Sequence, residues 1–437
     1  MLPESLGNRP KGLLCSLERY TKTDLTYLSK GGLWLTLDVG GGALAGLILS
    51  VAFAYLLPKE VYGTYRFLIA LFWVLTAFTM TGLSSAMSRA VTQGHEGVFR
   101  SSFALSIRFA LPLSGIALCM SAYYFFQGNA VLGSGLLIIA ALGPLMQSAT
   151  LWSSYFVGKK NFKALFLYGL IFAFVPALCL IAVMQTTKDP LVLIFTYLAS
   201  TILSGMVIAR AILTRHRPNS EPDAEYKNLG WHFSVMNLLS TIAQQVDKIV
   251  VFHYLGAVEL AVYALATALP EQIRSVFGSV STLALPKFIT RPFSEIKKTF
   301  WYRVYGFTGL LVITAIGYVL IAPSLFKIFF PAYQEAIFYS QIFALSLVPA
   351  GNTLSITLLE AHKAKRELYI FNVVSPIFQI GALILLTSIY GLIGAVTARI
   401  ASRVWAFIIG GALVTTYGRR ERLVTAILPS TDSSILK

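Results

Sequence analysis

The sequence predicts an all-α integral membrane protein with twelve transmembrane helices arranged as paired halves. Three observations carry this. Mean hydropathy is +0.71, and only 12% of the 437 residues are charged, about half the share of a soluble globular chain. Apolar segments long enough to span a bilayer, roughly 20 residues each, recur along the whole chain. The basic residues gather in alternate connections between those segments.

The expected spans, in order, are Leu33–Leu57, Tyr62–Met87, Ser101–Phe126, Val131–Phe156, Phe162–Met184 and Leu191–Leu213 in the first half. Trp231–Leu255, Leu260–Leu285, Trp301–Ile321, Ala336–Leu359, Leu368–Ile389 and Leu392–Tyr417 follow in the second. Residues 1–30 are polar and basic and read as a cytoplasmic tail, without the short apolar core of a signal peptide. The expected division is a tail at 1–30, a first six-helix unit at 31–213, a polar linker at 214–230, a second unit at 231–417 and a tail at 418–437. Pro218, Asn219, Ser220 and Pro222 mark the linker.

Charge sets the orientation. Of the 35 Lys and Arg, 26 fall in one set of connections and the two tails, three (Lys59, Lys188, Lys327) in the alternate set, and six within spans. By the positive-inside rule both termini are expected in the cytoplasm. The net charge of +16 is then mostly topology, and nucleic-acid binding is not needed to explain it. The outer loops are short, so an integral-membrane enzyme with an extracytoplasmic catalytic domain is disfavoured. No Walker A motif, TVGYG filter or H-E-x-x-H motif occurs, and the three Cys and five His show no metal-ligand spacing, so the chain is expected to be a non-enzyme without cofactor or metal.

The halves resemble each other at an offset of 198. Gly32 aligns with Gly230, Leu57 with Leu255, Gly63 with Ala261, Tyr65 with Tyr263 and Arg89 with Lys287. Both copies start on the same side, which makes a parallel repeat with its axis along the membrane normal.

Three stretches carry a family resemblance. Gly46–Leu57 runs into PKEVYGTYRF; QVDKIVVFHYLGAVELAVYALA spans the seventh and eighth segments; LFKIFFPAYQEAIFYSQIFALSLVPAGNTLSITLLEAHKAKRELYIFNVV covers the tenth and the turn after it. In these the chain resembles the Wzx-type polysaccharide-unit flippases of the multidrug/oligosaccharidyl-lipid/polysaccharide exporter superfamily. Pro58 and Ala261 stand where that pattern has Gly. The resemblance implies two six-helix lobes around a central cavity. It implies alternating-access transfer of a polyprenyl-diphosphate-linked oligosaccharide across a bacterial cytoplasmic membrane, for O-antigen, capsule or exopolysaccharide assembly. Membrane lipids, a polysaccharide polymerase and chain-length proteins are the implied partners. A small-molecule exporter of the same superfamily is the second reading; a major-facilitator transporter is the third, disfavoured because SRAVTQGHEGVFR lacks the acidic-basic loop usual there, and a membrane enzyme of polysaccharide assembly is the reading from a different class.

Charges inside spans are costly and need a reason. The basic ones are Arg66, Arg108, Lys248, Arg274, Arg399 and Arg403; the acids include Asp38, Asp247 and Glu271. A guanidinium fork and an ammonium point charge both suit a diphosphate. Arg274 and Lys248 are the expected substrate contacts, with Arg66 and Arg108 behind them. Asp247, Glu271 and Asp38 are the expected cavity or coupling carboxylates. A structural pair between Arg274 and Glu271, three residues apart on a helix, is the competing reading for those two. Arg399 and Arg403 share one helix face and read as packing or lipid contacts as readily as substrate contacts.

Overall fold

The computed structural model describes residues 25–223, 225–290 and 293–427. The expected tails therefore lie mostly outside the described residues, with Cys15, Arg9, Lys11, Arg19 and Lys22, as do Arg291 and the side chains of Lys287, Lys297 and Lys298. All regular structure among the described residues is helical.

Nine helical segments among the described residues are long and apolar enough to cross a membrane. The chain is a multi-pass membrane protein. One of the nine holds the eleventh and twelfth expected spans as a continuous run that kinks at Gly391, whose φ of 60° interrupts the helix; of the two expected spans outside the nine, the seventh is broken into two shorter helices and the eighth lies within one long helix. The helices are α1 (Leu25–Leu56), α2 (Lys59–Leu75), α3 (Leu83–Thr92), α4 (Val98–Phe109), α5 (Leu111–Phe126), α6 (Ala130–Ala149), α7 (Trp152–Gly158), α8 (Phe162–Thr186) and α9 (Pro190–Ala211). The second half adds α10 (Tyr226–Ala243), α11 (Val246–Leu255), α12 (Ala257–Thr290), α13 (Phe293–Phe329), α14 (Ala336–Ala344), α15 (Asn352–Ala361) and α16 (Lys365–Ile427). The first helix begins within the expected tail, and the last continues to Ile427, past the expected span end at Tyr417.

Local chemistry explains the helix starts. Asn129 and Asn161 accept hydrogen bonds from the N–H groups of Leu132 and Ala164 at 3.0 and 3.1 Å. Asp189 accepts one from Leu191 at 2.8 Å, just before Pro190 in the first turn, where a missing N–H costs nothing. The linker is docked rather than loose. Asn219 accepts from the Glu96 N–H at 3.0 Å and donates to the Gly94 carbonyl at 2.8 Å, while Gly97 N–H donates to Glu221.

Several expected spans break within their length. An extended Thr79 separates α2 from α3, and a 3₁₀ stretch, Leu345–Gly351 with Pro349, separates α14 from α15. The seventh span breaks at Gln244–Gln245 with neither Gly nor Pro. Backbone groups freed at such breaks need partners where lipid offers none. Gln379 of α16 donates to the freed carbonyl of Ala243. Gln147 donates to Thr79 Oγ1 at 3.0 Å, and the Gly82 N–H donates to Ser234 Oγ at 2.9 Å.

The main apolar core is shared by both halves, running from Phe53, Tyr62 and Phe72 to Val251, Tyr263, Phe326 and Leu392. α12 packs on α1 and α2, α11 on α2, and α10 on α3. Phe67 stacks on Phe252 with centroids 3.8 Å apart. The α2–α12 approach requires Gly63, because a Cβ there would lie 1.8 Å from the Ala257 carbonyl oxygen. Gly63→Ala is therefore expected to destabilise the protein by about 1–3 kcal/mol through overpacking. Melting in detergent is the check. Gly115→Ala, in open space on α5, should leave the melting temperature unchanged or higher; the opposite ranking would contradict the packing account.

Candidate functional site

Seven charged side chains within the expected spans converge from α2, α11, α12 and α16. Glu271 on α12 is the hub. Arg403 on α16 donates to its Oε1, and Arg399, one turn earlier, approaches the same oxygen at 3.4 Å. Arg274 lies 3.5 Å from Oε2. Arg399 Nε is also 3.4 Å from Asp247 Oδ2, which accepts from the Tyr263 hydroxyl at 2.9 Å. Arg403 donates to Ser346 Oγ at 2.6 Å and lies over the Phe343 ring at 5.0 Å.

The fold explains why these residues meet. The break at Gln244–Gln245 starts α11 one residue before Asp247, so the carboxylate sits in a helix first turn, where backbone N–H groups favour negative charge. Glu271 and Arg274 are i and i+3 on α12, and Arg399 and Arg403 are i and i+4 on α16, so each pair shares a face. Lys248 donates to Gln245 Oε1 beside the break. It remains within electrostatic range of Asp247, Arg66, Arg399 and Glu271. Arg66 on α2 lies over the Tyr62 ring at 6.0 Å and is within range of Tyr65 and Tyr197.

The balance is cationic: Arg274, Arg399, Arg403, Lys248 and Arg66 face two carboxylates. Arg399 pairs with both carboxylates and Arg403 with Glu271, Asp247 Oδ1 has no hydrogen-bond partner among the described residues, and Arg274 meets Glu271 through one nitrogen of its fork. Arg274 Nε and Arg66 Nε have no hydrogen-bond partner among the described residues. Arg274 and Arg403 line a cavity of about 330 Å³. Asn352, Thr353, Thr357, Glu360 and Phe371 complete its polar and aromatic walls.

The expected site residues thus fall into two groups. Arg274, Lys248, Arg66, Asp247 and Glu271 come together. Arg108 is exposed at the end of α4, beside Phe109, whose ring faces Trp231 at 6.0 Å, and no contact joins it to the cluster. Asp38 lies on α1 against Gly169 of α8, where an added Cβ would stand 2.2 Å from its carboxylate oxygen. It belongs to a helix–helix contact in the first half. Arg274 both touches Glu271 and lines the cavity, a geometry compatible with either reading of it. Arg399 and Arg403, for which the sequence left packing, lipid and substrate contacts open, are the buried partners of the two acids. Glu360, Asn352 and Thr357 were missed. Their one sequence signal was a helix with polar residues every three to four positions, Asn352, Thr353, Thr357 and Glu360.

This architecture is that of a membrane transporter fold. One related structure is an inward-facing multidrug resistance MATE family transporter of the MOP superfamily, with 13% identity, TM-score 0.66, and 86% of this chain and 96% of that one covered. An outward-facing MATE family structure gives 14% identity and TM-score 0.63 over 90% and 95% of the two chains. The lipid II flippase MurJ, inward closed, gives 16% identity and TM-score 0.61 over 89% and 87%. Comparison with curated protein sequences finds no match. The polysaccharide biosynthesis protein family matches residues 28–291, and the chain belongs to that family.

Glu271 is expected to be required for stability, because removing it leaves Arg399 and Arg403 buried with lost counter-charge. Breaking one partner of such a network typically costs about 3–5 kcal/mol. Glu271→Gln should lower the amount of folded protein in the membrane. Adding Arg403→Gln should recover part of the loss, a coupling that a double-mutant cycle of melting temperatures reads directly. Strict additivity would remove the pair from the stability argument.

Proposed function

We propose that the chain is a flippase that moves a polyprenyl-diphosphate-linked oligosaccharide across the bacterial cytoplasmic membrane by alternating access, for surface polysaccharide assembly. The observation that carries this reading is the cation excess in the membrane interior, where Arg274 and Arg403 open onto the 330 Å³ cavity, in a chain of the polysaccharide biosynthesis family. In a low-dielectric site a guanidinium fork pairs strongly with phosphate oxygens. The threonines and Asn352 offer hydrogen bonds, and Phe371 a flat apolar face, for sugar. Arg274 is the first candidate for the diphosphate, with Lys248 and Arg66 beside it. An inside-negative potential would favour outward movement of the anion by about 2.3 kcal/mol per charge per 100 mV.

The proposed organisation is twelve spans in two lobes, 31–213 and 231–417, with both termini and the 214–230 linker in the cytoplasm. The basic connections support it. A single cysteine at position 220 should react with an impermeant maleimide in inverted vesicles and not in intact cells. Labelling in intact cells would reverse the topology.

The functional test is complementation of a flippase-null strain with Arg274 variants, each scored for membrane abundance beside surface polysaccharide. Arg274→Ala should abolish polysaccharide at normal abundance, and Arg274→Lys should restore it in part, because the charge returns without the fork. Normal polysaccharide in Arg274→Ala would exclude the binding role. A purely structural Arg274–Glu271 pair would show as lost abundance instead.

A second reading, a small-molecule exporter of the same superfamily, draws on the Glu360 carboxylate in the cavity wall, which suits a cationic compound. Resistance to cationic dyes on expression, abolished by Glu360→Gln, would favour it.

A further inference from the structure

A second cavity, of about 440 Å³, lies at one end of the helices, in the turn from α15 into α16. Its walls carry Lys363, Lys365, Arg366 and Arg420, with Glu367 and Tyr417. It is separate from the site described above. Glu367 is almost fully buried and is engaged by Arg420 at 3.8 Å. Lys363, Lys365 and Arg366 are exposed around the opening, and no ion pair to any of the three is found among the described residues. The turn itself is tightly held. Lys363 adopts the left-handed conformation at φ 52°, while the Ala364 N–H donates to the Leu359 carbonyl at 2.9 Å.

The surface next to this cavity is apolar. From Arg366, one face of α16 continues through Ile370, Val373, Val374 and Ile377, all exposed by 36–57%. These positions follow i, i+4, i+7, i+8 and i+11, so they form a stripe running from the cavity into the membrane-spanning part of the helix. A cationic recess joined to an apolar stripe at a membrane rim matches an amphiphile with an anionic head. A free anion would have no use for the stripe.

We propose that this cavity holds the phosphate head group of an anionic phospholipid, with an acyl chain along the Ile370–Ile377 face of α16. The head group would sit among three cations with no partner of their own, and basic pockets between helices at a membrane surface take such head groups. The proposal does not depend on the transported substrate or on which side of the membrane the turn faces.

The test is native mass spectrometry of the full chain, purified and supplied with dioleoyl phosphatidylglycerol and dioleoyl phosphatidylcholine together. Phosphatidylglycerol should be retained in preference. The Lys363→Gln, Lys365→Gln, Arg366→Gln triple variant should lose that retention by at least about tenfold, as three near-surface cations imply. A charge-keeping triple, Lys363→Arg, Lys365→Arg, Arg366→Lys, should keep it and guards against misfolding as the cause. A second triple on another basic turn, Lys159→Gln, Lys160→Gln, Lys163→Gln, should also keep it. Undiminished retention in the first variant, or equal loss in the control triple, would overturn the site. Displacement of phosphatidylglycerol by inorganic phosphate would reassign it to a free anion. Preferential retention of undecaprenyl diphosphate, lost in the same triple, would reassign it to the transported lipid. Either result would overturn the phospholipid assignment.

Discussion

The second half of the molecule is organised around one electrostatic constraint: Asp247 and Glu271 must be neutralised where lipid and protein offer little dielectric screening. Arg399 and Arg403 do this, and in doing so tie α11 and α12 to α16 and, through Ser346, to the 3₁₀ stretch between α14 and α15. A lone ion at this depth is costly, and a paired one becomes costly as soon as its partner leaves. The network therefore fixes the relative register of four elements. It also determines what is left for a ligand. Two guanidinium groups are spent on the carboxylates, and Arg274, held by a single 3.5 Å contact, keeps the rest of its fork.

The internal repeat does not extend to this chemistry. At the 198-residue offset, Leu49 stands opposite Asp247, Trp73 opposite Glu271, Thr76 opposite Arg274, Thr201 opposite Arg399 and Gly205 opposite Arg403. The charge of the cluster lies mostly in the second half, with Arg66 of α2 the contribution of the first. The first half supplies close approach instead: Gly63 against Ala257, Gly82 against Gly230, and Phe67 stacked on Phe252. Small residues let helices meet where no solvent drives them together, so dispersion contacts have to do it. On the proposed function, the charged part of a substrate would be held mainly by the second half, with Arg66 added from the first, which would otherwise act as the packed surface against which it moves.

The interrupted helices connect these two features. The break at Gln244–Gln245 places Asp247 in a first turn, and the 3₁₀ stretch before α15 brings Ser346 to Arg403. Each interruption exposes backbone groups that a continuous helix would satisfy. The structure supplies side-chain partners, among them Gln379 for the Ala243 carbonyl and Ser234 for the Gly82 N–H. Irregular backbone at membrane depth is tolerable only with such partners.

Length and apolar periodicity were enough to determine an all-helical, multi-pass membrane chain, because a bilayer demands about 20 apolar residues per crossing and leaves few alternatives. Motif order in three stretches pointed to the family. Sequence also picked out Arg274, Lys248, Asp247 and Glu271 as residues needing a reason, since charge within a span is conspicuous. It did not reveal which charges meet. Asp38 and Arg108 were candidates alongside the others and lie elsewhere, while Arg399 and Arg403, left open between packing, lipid and substrate contacts, pair with both acids. The break in the seventh span carries no Gly or Pro, and Gln379, which supports it, is 136 residues away from Ala243. Pairing across such separations is set by how helices pack in three dimensions, so only the tertiary structure could decide it.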